Sequence, residues 1–326
     1  MEIKSGKLPA PLLQKLLGKI KHSDPRVLLG PKLGEDAALI DFGNKILAAK
    51  TDPITFATDL IGWYLVQVNV NDLAVVGATP RWMLATLLLP EGTDEKQVTT
   101  IFNDLTEAAE NQKIMLIGGH TEVTSGLNRP IAVGTLLGEL DSKDIIMTAG
   151  IKDGDAIILT KGIAIEGTSL LCREAETPLL EAGVHPDIIA SGKNMLFDPG
   201  ISVRADAELA RQTVKVNAMH DPTEGGVATG LQEMASASGL GINIESSEII
   251  IFDEFVNKTE NTYNDIIQFL ELPFHQKTNF PIALVRAFLE ITVVITGWYL
   301  GGTVGIGTLL FAFGVGPAVA LGLYIV

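Results

Sequence analysis

Acidic and amide side chains recur at the ends of predicted elements in the first half of the chain, where folding could gather them around a cation. They are Glu35 and Asp36 in "GEDAA", Asp52 in "KTD", Asn69, Asn71 and Asp72 in "NVNDLA", and His120 and Glu122 in "GGHTE". Each has an ordinary structural use: a turn at Asp36, a cap at Asp52 before Pro53, a polar helix face at Asn71 and Asp72. Asp72 is the hardest to assign that way, because "VQVNVNDLAVVGA" is otherwise apolar and a buried carboxylate requires a partner. Carboxylates that converge without nearby lysines suit Mg²⁺, which takes oxygen ligands and bridges to nucleotide phosphates. Gly118 and Gly119, lacking Cβ atoms, would let phosphate oxygens reach the main chain at the end of a buried strand "IMLI". His120 beside them could donate to a phosphate, act in acid/base chemistry, or only end the strand with a hydrogen bond.

Further along, "HDPTEGGVATG" sets Asp221 and Thr223 before a helix whose first turn holds Gly225 and Gly226. A helix N-terminus attracts anions through its unpaired N–H groups and its dipole, although capping by Thr223 is the plainer use. "TKGIAIEGT" adds Lys161, Glu166 and Thr168 after a predicted strand, and Lys161 joins His120 as a candidate catalytic group. No G-x-x-x-x-G-K-[ST] run is present, which excludes a P-loop.

The elements that must position these groups follow from periodicity. Leucines at helical spacing from Leu8 to Ile20 predict an amphipathic helix packed on the next domain. "AALIDF" and "KILAAKTD" predict two strands about Gly43-Asn44, then a helix through "DLIGWYLVQVNVNDLAVVGA" to Ala78, stopped by Pro80. "RWMLATLLL" and "RPIAVGTLLGEL" read as strands and "DEKQVTTIFNDLTEAAENQ" as a helix between them. In the second half, "AIILT", "VNAMH" and "GINIES" read as strands, and "AELARQTV" and "TEGGVATGLQEMASAS" as helices. The class is α/β (α+β), with a domain over residues 1–150, a partial second domain over 151–247, a polar and amphipathic linker over 248–282, and an apolar tail over 283–326.

With 326 residues the chain is long enough for two cores. A formal net charge of -15 argues against nucleic acid as the main partner, so a phosphorylated ligand needs a divalent cation. The single Cys172 rules out an intrachain disulfide framework and points to a reducing, cytoplasmic compartment. No charge occurs from Ile291 to Val326, a run longer than the roughly 20 residues that cross a bilayer, so the tail is an expected membrane tether.

Taken together, "GEDAALID", "KTDPIT", "NVNDLAVVGATPRWMLATLLLPEG", "GGHTEVTSGLNRPIAVGTLLGE", "ILTKGIAIEGTSLL" and "DPTEGGVATGLQEMA" resemble, in order, the family of AIR synthase (PurM), thiamine-monophosphate kinase, selenophosphate synthetase and HypE, with the AIR synthase-related, HypE-like members nearest. The resemblance implies a PurM-like two-domain fold whose N-terminal mixed sheet forms a barrel in a homodimer, and ATP and Mg²⁺ as cofactors. It implies transfer of the γ-phosphoryl group to activate a small-molecule or amide oxygen. By matched position, Asp36, Asp52 and Asp72 become the metal ligands; Asn71, Gly118, Gly119, Asp221, Thr223, Gly225 and Gly226 hold the nucleotide. A HypE-type C-terminal cysteine has no counterpart, since Cys172 is the only cysteine. The family pattern is expected to fade after about Glu245, where the tail resembles a YczE-like integral membrane protein. The alternative reading is a catalytically degenerate nucleotide-binding module tethered to a membrane, or a fused chain.

Overall fold

The structure, a computed structural model, describes residue 8 and residues 10–20, 24–141, 144–181, 183–223 and 226–244. In chain order come α1 (Ala10–Leu17), β1 (Val27–Leu29), β2 (Ala38–Asp41), β3 (Ile46–Ile54), α2 (Ile61–Val75), β4 (Thr79–Pro90), α3 (Glu95–Asn111), β5 (Met115–Thr124) and β6 (Ile131–Leu140). Helices α4 (Ile165–Glu174), α5 (Glu176–Glu181), α6 (Pro186–Asn194), α7 (Arg204–Thr213) and α8 (Gly226–Ser238) follow. The chain divides into two units, Met1–Glu174 with Ser191–Ile250, and Ala175–Ala190 with Ile251–Val326. Among described residues the second unit holds only α5 and the start of α6.

The first unit is built on one mixed sheet of order β1-β2-β3-β6-β4-β5, antiparallel throughout except where β5 runs parallel to β4 after the crossover through α3. β6 alternates perfectly between buried and half-buried positions, as "IAVGTLLGEL" predicts for a strand with one covered face. The cover is α2, packed on β3, β6 and β4 and backed by α3. Because α2 is enclosed on nearly every side, its side chains are apolar all round, with Gln67, Asn69, Asn71 and Asp72 as buried exceptions. Gly134 on β6 makes room for one of them: a Cβ there would lie 2.6 Å from Asn69 Nδ2. At the start of α3, Asp94 and Gln97 form a reciprocal capping box.

Several expectations need correction. α2 ends at Val75, and Pro80 lies inside β4, since Gly77 at φ +87° turns the chain out of the helix first. No residue of α1 is buried, so among described residues it does not dock as an amphipathic helix would. Residues 156–160 and 216–220 are not strands; Ile158 is 79% exposed, and no described segment offers either run a ladder partner. "IMLI" is not a buried strand either. β5 continues through both glycines to Thr124 and is open to solvent on both faces, with Met115 66% and Val123 58% exposed. "GINIES" runs past the described residues at 245, and the linker and apolar tail lie wholly outside them. Among the described residues no helix is long and apolar enough to cross a membrane.

Candidate functional site

Strand parity and one helix face assemble the site. On β3, residues 46, 48, 50, 52 and 54 share the face that meets α2, so Lys50 and Asp52 follow Ile46 and Ala48 toward the helix. On α2, Asn69 and Asp72 are three residues apart and so neighbours on one side. Asn69 Nδ2 donates to the carbonyl of Leu65 at 2.8 Å and reaches that of Asp52 at 3.4 Å. Asp72, its side chain 4% exposed, receives the Lys50 ammonium on Oδ1 at 2.9 Å, and the same ammonium lies 3.5 Å from Asp52 Oδ2. The expectation that the carboxylates gather without lysines is therefore corrected: Lys50 stands between two of them.

A second cluster adjoins the first. The loop before β2 carries Glu35 and Asp36; α8 and the segment before it carry Glu233, His220 and Asp221. His220 faces Asp36 Oδ2 through Nδ1 at 3.0 Å and Glu233 Oε2 through Nε2 at 2.9 Å. A ring that meets carboxylate oxygens at both nitrogens donates from both as the imidazolium. Thr148 donates its hydroxyl to Asp36 Oδ2 at 3.3 Å and its N–H to Glu35 Oε2 at 3.2 Å. One ligand atom each from Asp36, His220 and Asp221 lie within 4.8 Å of one another, a spacing that a metal ion can span, but with His220 as the imidazolium only the two carboxylates can ligate.

The two clusters share one electrostatic field. Burial, then the negative charge of Asp221, push the Asp72 carboxyl well above the usual carboxylate range, with Lys50 opposing. Asp221 is pushed up to about 7, by burial first and Asp36 second. Burial works against a charged His220, yet the bond to Asp36 and the charges of Asp36 and Asp221 raise it to about 9. Burial likewise opposes the charge on Lys50, but Asp72 and then Asp52 outweigh it and raise the ammonium above its ordinary range. Even so, Glu35 Oε1, Asp72 Oδ2 and Asp221 Oδ1 are buried without a hydrogen-bond partner. Orphan carboxylate oxygens beside like charges are what an oxygen-seeking cation would satisfy.

Asp36, Asp52, Asp72 and Asp221 are thus brought into one neighbourhood. The other sequence candidates go elsewhere. Asn71 is a clamp: its Nδ2 donates to the Ile201 carbonyl at 2.9 Å and its Oδ1 accepts from the Val203 N–H at 2.9 Å. Lys161, expected to be catalytic, donates to the carbonyls of Gly200, at 3.1 Å, and Ser202, and pairs with Asp206 of α7 at 3.2 Å, so its acceptors lie on that loop and the helix after it and none belongs to the carboxylate cluster. His120 is exposed on β5 and meets Glu122 Oε2 at 3.0 Å, two residues along the same strand face. Gly119 serves strand pairing, because a Cβ there would lie 1.8 Å from the Ala85 carbonyl oxygen of β4. Gly118 has room for a side chain but sits at φ +153°. The ladder puts Asp52, Gly134, Ala85 and Gly119 in one row across the sheet, so "GGHTE" lies level with Asp52 but three strand spacings, roughly 14 Å, away. Thr223 accepts the Gly226 N–H on its carbonyl at 2.9 Å where α8 begins at φ +62°; Gly225 lies outside the described residues.

Sequence reasoning missed Lys50, His220, Glu233 and Thr148. For Lys50 a signal existed, since it shares strand parity with Asp52. His220 adjoins Asp221 in "HDPTEGG". Nothing in the sequence singles out Glu233 or Thr148.

Residues 34–140 match the AIR synthase related protein, N-terminal domain, and residues 152–265 its C-terminal domain, so the pattern expected to fade near Glu245 runs on to 265. A putative hydrogenase expression/formation protein of Methanocaldococcus jannaschii is 31% identical over 226 residues, 68% of this chain and 64% of that one. The phosphoribosylformylglycinamidine cyclo-ligase of Thermococcus kodakarensis is 33% identical over 232 residues, 67% of this chain and 66% of that one. The chain thus spans slightly under two thirds of the length of each relative. The solved structure of AaThiL complexed with AMPPCP and TMP superposes with a TM-score of 0.61 at 21% identity, covering 77% of this chain and 75% of that one, which shows a shared fold.

Proposed function

We propose that this chain, which belongs to the AIR synthase related protein family, binds ATP with Mg²⁺ and transfers the γ-phosphoryl group to activate an oxygen of a small molecule or of an amide. The observation that carries the reading is the convergence of Asp36, Asp52, Asp72 and Asp221 with two of their buried oxygens, Asp72 Oδ2 and Asp221 Oδ1, left without partners. These residues fit a hard divalent cation, and Asp221 and Asp72, each with a free buried oxygen, are the ones that would hold it, with Asp36 the next carboxylate beside Asp221. Bound there, Mg²⁺ would neutralise phosphate charge and orient the transferred group. The chain's own part is positional. α2 and β3 fix Asp72 and Asp52 on rigid elements, and His220 locks the Asp36 carboxylate against α8 through Glu233. The AMPPCP in the AaThiL structure supports a nucleotide-dependent reaction.

A homodimer belongs to the same proposal. β5 is an edge strand with Met115, Ile117 and Val123 exposed, the kind of edge that calls for cover. A small-molecule or protein substrate is the remaining partner.

Calorimetry of the full chain with Mg²⁺ and AMPPCP, beside a phosphate-release assay with ATP, tests the reading. Binding that disappears in Asp72→Asn, together with turnover in the wild type, supports it. No nucleotide affinity in the presence of Mg²⁺ would sink it.

A further inference from the structure

We propose that Lys50 is the phosphate-contacting cation of this site, held on Asp72 until metal and nucleotide arrive together, so that each partner binds well only with the other. The inference rests on the ATP and Mg²⁺ reading above. Its starting point is that the carboxylates already contain a resident positive charge. The Lys50 ammonium touches Asp72 Oδ1 at 2.9 Å, with Asp52 Oδ2 within 3.5 Å as a second anchor, and its side chain is 22% exposed.

An ammonium that serves only to neutralise a buried acid leaves that acid satisfied. Here it does not: Asp72 Oδ2 stays unpartnered, as does Asp221 Oδ1, and the two carboxylates repel one another. A divalent ion that took these two free oxygens would compete directly with Lys50 for Asp72, since like charges a few ångströms apart oppose each other by several kT at protein-surface dielectric. Metal alone is therefore disfavoured by Lys50, and phosphate alone by the acids. When both come, Asp52 offers the ammonium a nearby anchor while its three donors turn to phosphate oxygens, the use to which a lysine point charge is suited. The coupling between the two ligands is reciprocal by thermodynamic necessity.

The test is the affinity of the full chain for Mn²⁺ alone, read by electron paramagnetic resonance, and for AMPPCP at saturating Mn²⁺, read by calorimetry. Lys50→Gln keeps a hydrogen-bond donor for Asp72 and removes the charge, and Lys50→Met serves if that variant fails to fold. The expected result is opposite movement: Mn²⁺ alone binds about tenfold tighter or more, and AMPPCP about tenfold weaker or more. Lys50→Arg, which retains the charge, keeps Mn²⁺ affinity near wild type. A lysine with a merely structural role would weaken both ligands together. Unchanged or weaker Mn²⁺ binding in a folded Lys50→Gln overturns this inference alone. A wild type that holds no Mn²⁺ and nucleotide at all overturns the parent reading as well.

Discussion

Replacing Asp221 by asparagine should stabilise the ligand-free protein at neutral and alkaline pH while removing its response to a divalent cation supplied with nucleotide. Asp221 is 5% exposed, and burial followed by Asp36 pushes its carboxyl up from 3.8 to about 7. A raised acid binds its proton more tightly in the folded state than in the unfolded one. Its contribution is therefore intact below pH 4, erodes as pH rises toward 7, and is fully lost above that. At about 1.4 kcal/mol per pH unit, the span from 3.8 to about 7 corresponds to at most roughly 4 kcal/mol of destabilisation at pH 8. The amide of the variant would carry no charge, and its NH₂ could donate to the neighbouring carboxylates. Urea unfolding of wild type and Asp221→Asn from pH 4 to 9 should show equal stability near pH 4 and a widening gain for the variant, of about 2 to 4 kcal/mol by pH 8. His220 modifies the upper part of the curve. Raised against its own burial from 6.5 to about 9, by Asp36 and then Asp221, it adds stability that is lost as pH passes from about 6.5 through 9, and in the variant this contribution should be smaller and its loss complete at a lower pH. Millimolar Mg²⁺ together with AMPPCP should stabilise the wild type at pH 8 well beyond Mg²⁺ alone, and leave Asp221→Asn unchanged. A variant that is less stable than wild type at pH 8, or a pH profile parallel to it, would refute the reasoning.

Three further outcomes are expected. Gly119→Ala should destabilise the β4–β5 pairing by about 3 kcal/mol or more, seen as a lowered melting temperature, because its Cβ would meet Ala85 backbone rather than a movable side chain. Asn71→Ala should cost about 2 to 3 kcal/mol in denaturant unfolding, since it orphans both the Ile201 carbonyl and the Val203 N–H, with nucleotide affinity in the folded variant falling less than in Asp72→Asn. Val123→Lys on the open edge should shift the mass measured by light scattering from dimer toward monomer without lowering the helix content seen by circular dichroism.

What could be read in advance divides along a physical line. Periodicity reports which face of an element is covered, and it located β4, β6, α2 and α3 because one cover, α2, dictates the pattern of all of them. It failed on β5, whose apolar residues carry the same composition as a buried strand although Met115, Ile117 and Val123 are exposed and only Leu116 packs on the core; composition cannot say whether cover comes from the chain or from a partner. It failed again at residues 156–160 and 216–220, because a strand exists only when another strand accepts its hydrogen bonds. The carboxylates were legible as types, since a buried Asp72 in an apolar helix demands compensation wherever it lies. Their compensators were not, because Lys50 and His220 reach their partners across 22 and 184 residues and only the fold sets those distances. The omission changes the chemistry. Acids that met around an empty space would bind a metal ion on its own, whereas on the coupling proposed above acids already holding Lys50 and an imidazolium would bind one only when an anion comes with it, which would make the resident cations, more than the carboxylates, the source of any selectivity for a metal–nucleotide complex over free metal.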